Sequence, residues 1–489
     1  MLAPLNEGDR GGSWRARHRP FIGPGHTERM SNDDVLPSIA DAPGFPDSDR
    51  VPRKQVWAWA LWDWATQPFN SVIITFVFTA LYLTSDSFID PAIAALGEDD
   101  AAYSAAIDDL ASSLGWGITA AGILVALLAP VLGQRADASG KRKSWLGVMT
   151  LVLVACVGGL FFVEATPEAF WVGVGLIALG SIVAEIANVN YYAMMVQVST
   201  PRTMGRVSGL GWGLGYMGGI VALVIVVLLD TFEWFGMDTS NGMAYRLIAV
   251  GCAVWTLLFA WPLFRYVPET QVRTRPTVSI VKGYAILVAD LRRLWNEARS
   301  TLWFLLASAV YRDGLAGVFT FGAIIAAVAF GFSDSQVILF GIAANLVAGV
   351  STIIAGRFDD RLGPRRVILV ALGVIVAAGG VIVVLHGVGP IVFWVCGLLL
   401  SGMVGPAQAA SRSLLARVSP AGREAEMFGL YATTGRAASF LAPGMWALFI
   451  TIFGATIWGT LGVISVVLVG MVLMLFVRTP ADRGAVEPA

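Results

Sequence analysis

Gly133-Gln-Arg-Ala-Asp137-Ala-Ser-Gly140-Lys141-Arg142-Lys143 recurs as Gly356-Arg-Phe-Asp-Asp360-Arg-Leu-Gly363-Pro-Arg365-Arg366, 223 positions further on (356 − 133). The glycines, one aspartate and two basic positions keep their spacing, and each copy lies between two long apolar runs. A charged connection repeated once in each half of a largely apolar chain reads as a duplication. A second match supports it. Val198-Ser199, Gly209-Leu210 and Gly215 return as Val418-Ser419, Gly429-Leu430 and Gly435, 220 positions on (418 − 198). Paired half-molecules are the architecture in which many secondary carriers hold cargo at mid-membrane.

Composition agrees with a membrane chain. Of 489 residues, 56% are hydrophobic and 14% charged, whereas soluble domains run to about a quarter charged. The net charge of −1 supplies no basic field for nucleic acid. Cys156, Cys252 and Cys396 stand far apart in apolar runs, a spacing that suits neither a zinc site nor a disulfide framework. Lys54, Lys141, Lys143 and Lys282 are the lysines among 33 basic residues, an arginine bias that points to a GC-rich bacterial genome and a bacterial plasma membrane.

A crossing helix needs about 20 mostly apolar residues. Runs of that kind lie near 57–83, 114–133, 145–164, 170–196, 207–229 and 245–267, then near 301–330, 336–356, 366–386, 390–412, 425–450 and 454–477. The expected fold is an all-α membrane protein of about twelve spans in two six-helix halves, 51–267 and 301–477. Residues 268–300 are expected to form a cytoplasmic linker with an amphipathic helix, 1–50 a disordered N-terminal tail and 478–489 a C-terminal tail. Met30 offers an alternative start. Basic residues cluster in alternate connections, at 53–54, 135–143, 202–206, 265–299, 357–366, 412–423 and 478–483. Asp86, Asp90, Asp99, Asp100, Glu164, Glu168, Asp230 and Glu233 occupy the others, and Arg246 alone breaks the pattern. The positive-inside rule then places both termini in the cytoplasm.

Gly213-x-Gly215-x-x-Gly218 matches a dinucleotide fingerprint on paper, but no strand precedes it. The four-residue spacing of Gly205, Gly209 and Gly213, and of Gly211, Gly215 and Gly219, instead makes smooth helix faces for close packing.

The Gly133–Lys143 pattern resembles the loop motif of the major facilitator superfamily. Trp59-Ala-Leu-Trp62-Asp63-Trp64-Ala65, Gly205-Arg-Val-Ser-Gly-Leu-Gly-Trp212, Ser411-Arg412-Ser413-Leu414, Gly422-Arg-Glu-Ala-Glu426-Met-Phe-Gly-Leu-Tyr431 and Gly435-Arg436 narrow the resemblance. Together they look like the branch named for the vacuolar amino-acid effluxer of autophagy, over about Trp57 to Phe476. Two departures stand out. Ala138 occupies a position usually basic in the superfamily, although Arg361 fills it in the second copy. The fourth span reads Tyr191-Tyr192-Ala-Met-Met-Val196 where the branch commonly has Asn and Pro, so no role resting on that Asn carries over. The resemblance implies that Asp137 and Asp360 latch onto helix ends or arginines of the opposite half, and that Gly133, Gly140, Arg142, Lys143, Gly356, Gly363, Arg365 and Arg366 complete these gating segments.

Charges kept inside a membrane cost at least about 2.5–3.5 kcal/mol each and are functional candidates. Glu185 lies midway along the fourth span, and Asp313 a dozen residues into the seventh. Either is a candidate for substrate contact or proton coupling, with a structural ion pair as the plain alternative. Arg312 adjoins Asp313, but adjacent helical residues do not share a face. Asp63 reads as an anchor or gate near the cytoplasmic lip. Arg436, in the eleventh span, is suited to clamping an anionic group, and Arg412 joins this set. Asn70, Asn188, Asn190, Asn345, Gln408 and Ser411 are further candidates for the cavity wall, and Pro68 is placed to break the first span.

The reading is therefore a monomeric secondary transporter for a small organic solute, an amino acid first, with protons the candidate coupling ion. Drug or metabolite efflux is the alternative. An ion channel would need a ring of repeated pore residues, which the differing halves do not supply. No nucleophile triad or metal-ligand cluster suggests an enzyme, and no metal or cofactor is expected. No Gly-x-x-x-x-Gly-Lys-Ser/Thr motif suggests ATP as the energy source.

Overall fold

Helices carry nearly all of the ordered chain in the computed structural model, and among the described residues there is no strand. The structure describes residues 51–83, 85–97, 99–236, 241–269, 299–419 and 423–477, with scattered positions between 284 and 296. Both tails and most of the expected amphipathic linker helix lie outside the described residues.

The principal helices are α1 (Arg53–Pro68), α2 (Ala101–Ser139), α3 (Arg142–Gly159), α4 (Phe170–Ala193), α5 (Met204–Thr231) and α6 (Met243–Tyr266). The later ones are α7 (Arg299–Ile324), α8 (Asp334–Leu362), α9 (Pro364–Val384), α10 (Pro390–Val418), α11 (Glu424–Ala438), α12 (Leu441–Phe453) and α13 (Ile457–Leu475). Eleven stretches among the described residues are long and apolar enough to cross a membrane. The first span is more interrupted. After Pro68, α1 passes into π-helical stretches at Phe69–Phe76 and Phe78–Leu83. Pro68 has no N–H for the Trp64 carbonyl one turn back, and that carbonyl accepts the Trp255 indole N–H at 3.2 Å instead. The eleventh span is broken into α11 and α12 at Ser439–Phe440; Pro443, in the first turn of α12, has no N–H for the Ser439 carbonyl four residues back and crowds it.

Local chemistry sets several ends. Ser333 and Gln336 form a reciprocal capping box at the start of α8, satisfying N–H groups that a helix start leaves free. Pro364 and Pro390 occupy first-turn positions of α9 and α10, where a missing N–H costs nothing.

One expectation needs correction. The repeated charged stretch is mostly helix rather than loop: α2 runs through Asp137 to Ser139, and α8 runs through Asp360 to Leu362. Apolar character stops at about 133 and 356, but backbone hydrogen bonding continues one to two turns further. Gly140 (φ 65°) and Gly363 (φ 85°) end the two helices in a conformation that side chains disfavour.

The two sets of six spans meet along two crossings, α2 with α11 and α5 with α8. A Cβ on Gly209 would stand 2.7 Å from the Thr352 carbonyl oxygen, and one on Gly429 would stand 2.6 Å from that of Ala129. Backbone lies against backbone at both places. Gly205, Gly209 and Gly213 face α8 and its neighbourhood, while Gly211, Gly215 and Gly219 face Trp59, Asp63 and Ser71 of the first span. The two glycine stripes of α5 therefore serve two different neighbours. Outward-facing surfaces carry exposed Trp116, Phe162, Trp171, Leu258 and Trp261, as a lipid-facing surface does.

Candidate functional site

One face of the molecule, where the repeated stretches lie, is closed by two related sets of contacts. Asp137 accepts hydrogen bonds from the backbone N–H groups of Ala425 (3.3 Å) and Glu426 (2.9 Å), in the first turn of α11. Asp360 accepts from those of Gly205 (2.7 Å) and Arg206 (3.2 Å), in the first turn of α5. These donors have no intrahelical partner and sit at the positive end of the helix. The receiving positions repeat the sequence offset (425 − 205 = 220), so a single type of contact occurs twice.

The basic positions differ between copies. Arg142 is buried between Asp137 and Glu424, donating to Asp137 at 2.6 Å and also to Glu424. Lys143 turns away to the Val267 carbonyl at 2.7 Å, and Arg365 to that of Leu475 at 3.0 Å. Arg366 is exposed. In the second set the cations come from α10 and α5 instead: Arg417 lies 3.3 Å from both Asp359 and Asp360 and donates to the Pro201 carbonyl at 2.8 Å, and the exposed Arg206 lies 3.0 Å from Asp360. Asp359, which the sequence reading passed over, also accepts from Ser413 at 3.2 Å.

Between the two sets of spans lies a cavity of about 300 Å³. Four charged side chains line it, and they divide by origin. Asp63 (α1) and Glu185 (α4) come from the first six spans, Arg312 (α7) and Arg412 (α10) from the last six. One wall is acidic and the other basic, and the formal sum is zero. Gln67, Asn70, Asn188 and Gln408 add neutral polar groups, and Tyr192, Trp212, Tyr216, Phe428 and Tyr431 supply aromatic faces.

Asp63 is not an anchor at the lip. It is 8% exposed and forms an ion pair with Arg412 at 3.3 Å. It lies against Gly215 of α5, 3.6 Å from where a Cβ would stand. Arg412 is 1% exposed, donates to the Ser208 carbonyl at 2.8 Å, and lies over the Tyr192 and Trp212 rings at 4.7 and 4.5 Å. Arg312 lies 3.8 Å over the Tyr431 ring and donates to the Tyr431 carbonyl. Gly435 gives it space, since a Cβ there would stand 3.2 Å from Nη1. Among the described residues no carboxylate pairs with Arg312, and no donor engages Glu185.

The other candidates separate from this group. Asp313 turns from the cavity and accepts the Ala442 N–H at 2.5 Å, capping α12 where the eleventh span is broken. Arg436 is exposed and does not line the cavity. Asn190 is buried and donates to Ile186, and Asn345 donates to Gly341, each within its own helix. Ser411 bonds with Tyr311. Arg312 is the main residue that sequence reasoning missed. The membrane-charge rule that singled out Asp313 applies equally to its neighbour, and only the rotation of α7 separates them.

A family model described as vacuole effluxer Atg22 like matches residues 196–488. The chain is 28% identical over 432 residues to an uncharacterized MFS-type transporter, YxiO, of Bacillus subtilis, covering 87% of this chain and 95% of that one. It is 25% identical over 313 residues to autophagy-related protein 22-2 of Emericella nidulans, covering 57% of this chain and 52% of that one. The chain thus spans about half the length of this fungal relative. Among solved structures, the human organic anion transporter MFSD10 superposes with a TM-score of 0.64 at 17% identity, over 86% of this chain and 99% of that one. FucP of E. coli, in its outward conformation, does so with a TM-score of 0.64 at 13% identity, over 87% and 99%. At these identities the structural likeness is one of fold.

Proposed function

Because this chain belongs to the vacuole effluxer Atg22-like family of major facilitator transporters, we propose that it carries a zwitterionic α-amino acid across a bacterial plasma membrane by alternating access. The observation that carries this reading is the division of charge in the cavity. Glu185, on one wall, lacks a cationic partner, and Arg312, on the other, lacks an anionic one among the described residues. An α-ammonium group matches the first and an α-carboxylate the second. A guanidinium fork is suited to a carboxylate by its planar pair of donors. A ligand with both charges satisfies both walls, whereas a ligand with one leaves the other half-buried charge unpaired.

The cavity volume favours a small solute. About 300 Å³ is at the low end of the roughly 300–1,000 Å³ range of drug-sized sites. The aromatic lining is the feature that would suit efflux of larger metabolites. Closure of the face bearing the repeated stretches, taken as cytoplasmic, corresponds to an outward-facing state. Glu185 is also the candidate proton carrier.

The test is uptake into proteoliposomes, with competition by matched analogues. Neutral amino acids should compete, and the corresponding amines, carboxylic acids and amino-acid amides should compete at least tenfold less well. Equal competition by single-charge analogues would reject the zwitterion reading. Uptake by Glu185→Gln with wild-type rate and pH dependence would reject its role in proton coupling.

A further inference from the structure

Arg412 belongs to α10, yet each partner found for its guanidinium lies in the first six spans: Asp63 of α1, the Ser208 carbonyl and Trp212 ring of α5, and the Tyr192 ring of α4. Arg312 differs, because it rests on Tyr431 within its own set of spans. A rocking motion leaves the Arg312 contacts intact but must pull Arg412 out of its seat. Such a side chain behaves as a bolt.

The helix that carries the bolt also carries the latch on the closed face. Ser208 donates back to the Ala409 carbonyl at 2.7 Å. Five residues beyond Arg412, about 7.5 Å along a helix, Arg417 holds Asp359, Asp360 and the Pro201 carbonyl. Asp360 in turn caps α5, whose second turn supplies the Ser208 carbonyl to Arg412. Pro406 lies inside α10, so the stretch from Ala407 to Val418 is an uninterrupted helical unit beyond the one position where its ladder is weakened. Asp63 and Arg412 line the cavity together with the Tyr192 and Trp212 rings, whereas Arg417, Asp359 and Asp360 do not.

We propose that Arg412, seated on Asp63, is the bolt through which cavity occupancy opens the closed face, and that the end of α10 transmits its withdrawal to the Arg417 latch. A charged ligand group arriving beside the pair competes for Asp63 or for Arg412. Once the pair is parted, the closed arrangement loses a buried ion pair, and the rigid end of α10 moves Arg417 with it. Physical coupling here needs no more than one stiff element with two positions, which both sites bias. The inference holds whatever the chemical identity of the cargo.

The experiment uses the full chain in nanodiscs without substrate, with spin labels on cysteines replacing exposed Lys141 and Arg361 and with Cys396→Ser. The wild type should give one short distance. Asp63→Asn should raise the ratio of long to short distances about tenfold, and Arg417→Gln should act likewise. Because bolt and latch move together, the double variant should shift the ratio less than the product of the single shifts. Arg412→Lys keeps a charge but loses the fork, and should give an intermediate shift should Asp63→Asn fail to fold. Unchanged distances in Asp63→Asn and Arg412→Lys would overturn the bolt. A double-variant shift equal to the product would overturn the transmission. Since no substrate is present, either failure is separate from that of the amino-acid reading.

Discussion

Adding one methyl group at Gly209 or Gly429 should open the closed face without harming either set of spans. At Gly209 the new carbon would stand 2.7 Å from the Thr352 oxygen and 3.2 Å from the Gly356 Cα. At Gly429 it would stand 2.6 Å from the Ala129 oxygen and 2.7 Å from the Pro130 Cα. Ordinary contact begins at 3.4 Å, so each crossing must widen by about 0.7 Å against backbone that cannot rotate away. Over-packing of this kind costs about 1–3 kcal/mol. The clashing atoms belong to the opposite set of spans, so the strain vanishes once the face opens. The closed-to-open ratio should therefore fall about 5- to 150-fold, while alanine slightly favours the helix itself. Gly251→Ala is the control, because nothing lies within 4 Å of its new carbon. Distances between labels at Lys141 and Arg361 provide the readout. If Gly209→Ala and Gly429→Ala give the same distribution as Gly251→Ala, close packing is not what holds the closed state.

Asp137→Asn should reduce net proteoliposome transport several-fold with unchanged membrane insertion, since the charge that binds Arg142 and caps α11 is lost; charge-assisted bonds of this kind contribute about 1.5–3 kcal/mol each. Arg312→Gln should weaken amino-acid competition about 10- to 100-fold and abolish the preference for acids over amides, measured as inhibition constants in the same assay. Asp313→Ala should lower thermal stability by about 0.5–2 kcal/mol, the usual value of a helix cap, yet leave the pH profile of uptake unchanged. A lost pH profile would restore Asp313 as a coupling group. Arg436→Gln should leave substrate affinity within twofold of wild type, because the side chain is exposed away from the cavity.

The sequence displays the fold because duplication leaves a record that needs no three-dimensional information. Gly133 and Gly356 can be aligned by eye, and hydropathy reports depth in the bilayer directly. It does not report rotation about a helix axis. Arg312 and Asp313 share one depth, but α7 presents Arg312 to the cavity and Asp313 to the start of α12. For the same reason Asp63, judged by distance from the end of its span, was expected at the lip although its partner Arg412 lies 349 residues away. Arg436 failed in the opposite direction: its depth was right for a ligand clamp, while its face was wrong. Pro443 was available in the sequence as a signal for the break at Ser439–Phe440, but the group that caps the new helix start, Asp313, sits on another helix.

Duplication also explains how a nearly neutral chain acquires a polarised cavity. The offset of 220 carries Asn188 onto Gln408 and Gly215 onto Gly435, so corresponding positions serve the cavity in both sets of spans. Asp63 lies against Gly215, and Arg312 lies against Gly435. The repeated backbone thus sets an acid beside one of the paired glycines and a base beside the other. The same offset carries Tyr192 onto Arg412, so the ring on which the bolt rests and the bolt itself occupy matching positions. An exact copy would have placed like charges on both walls, a repulsive arrangement in a poorly solvated space. Divergence at a few positions is enough to replace that repulsion by opposite walls, without changing the glycines that let the helices approach. The latch contacts, which only need a carboxylate at a helix start, stayed alike, and the cavity charges are where the two copies came to differ.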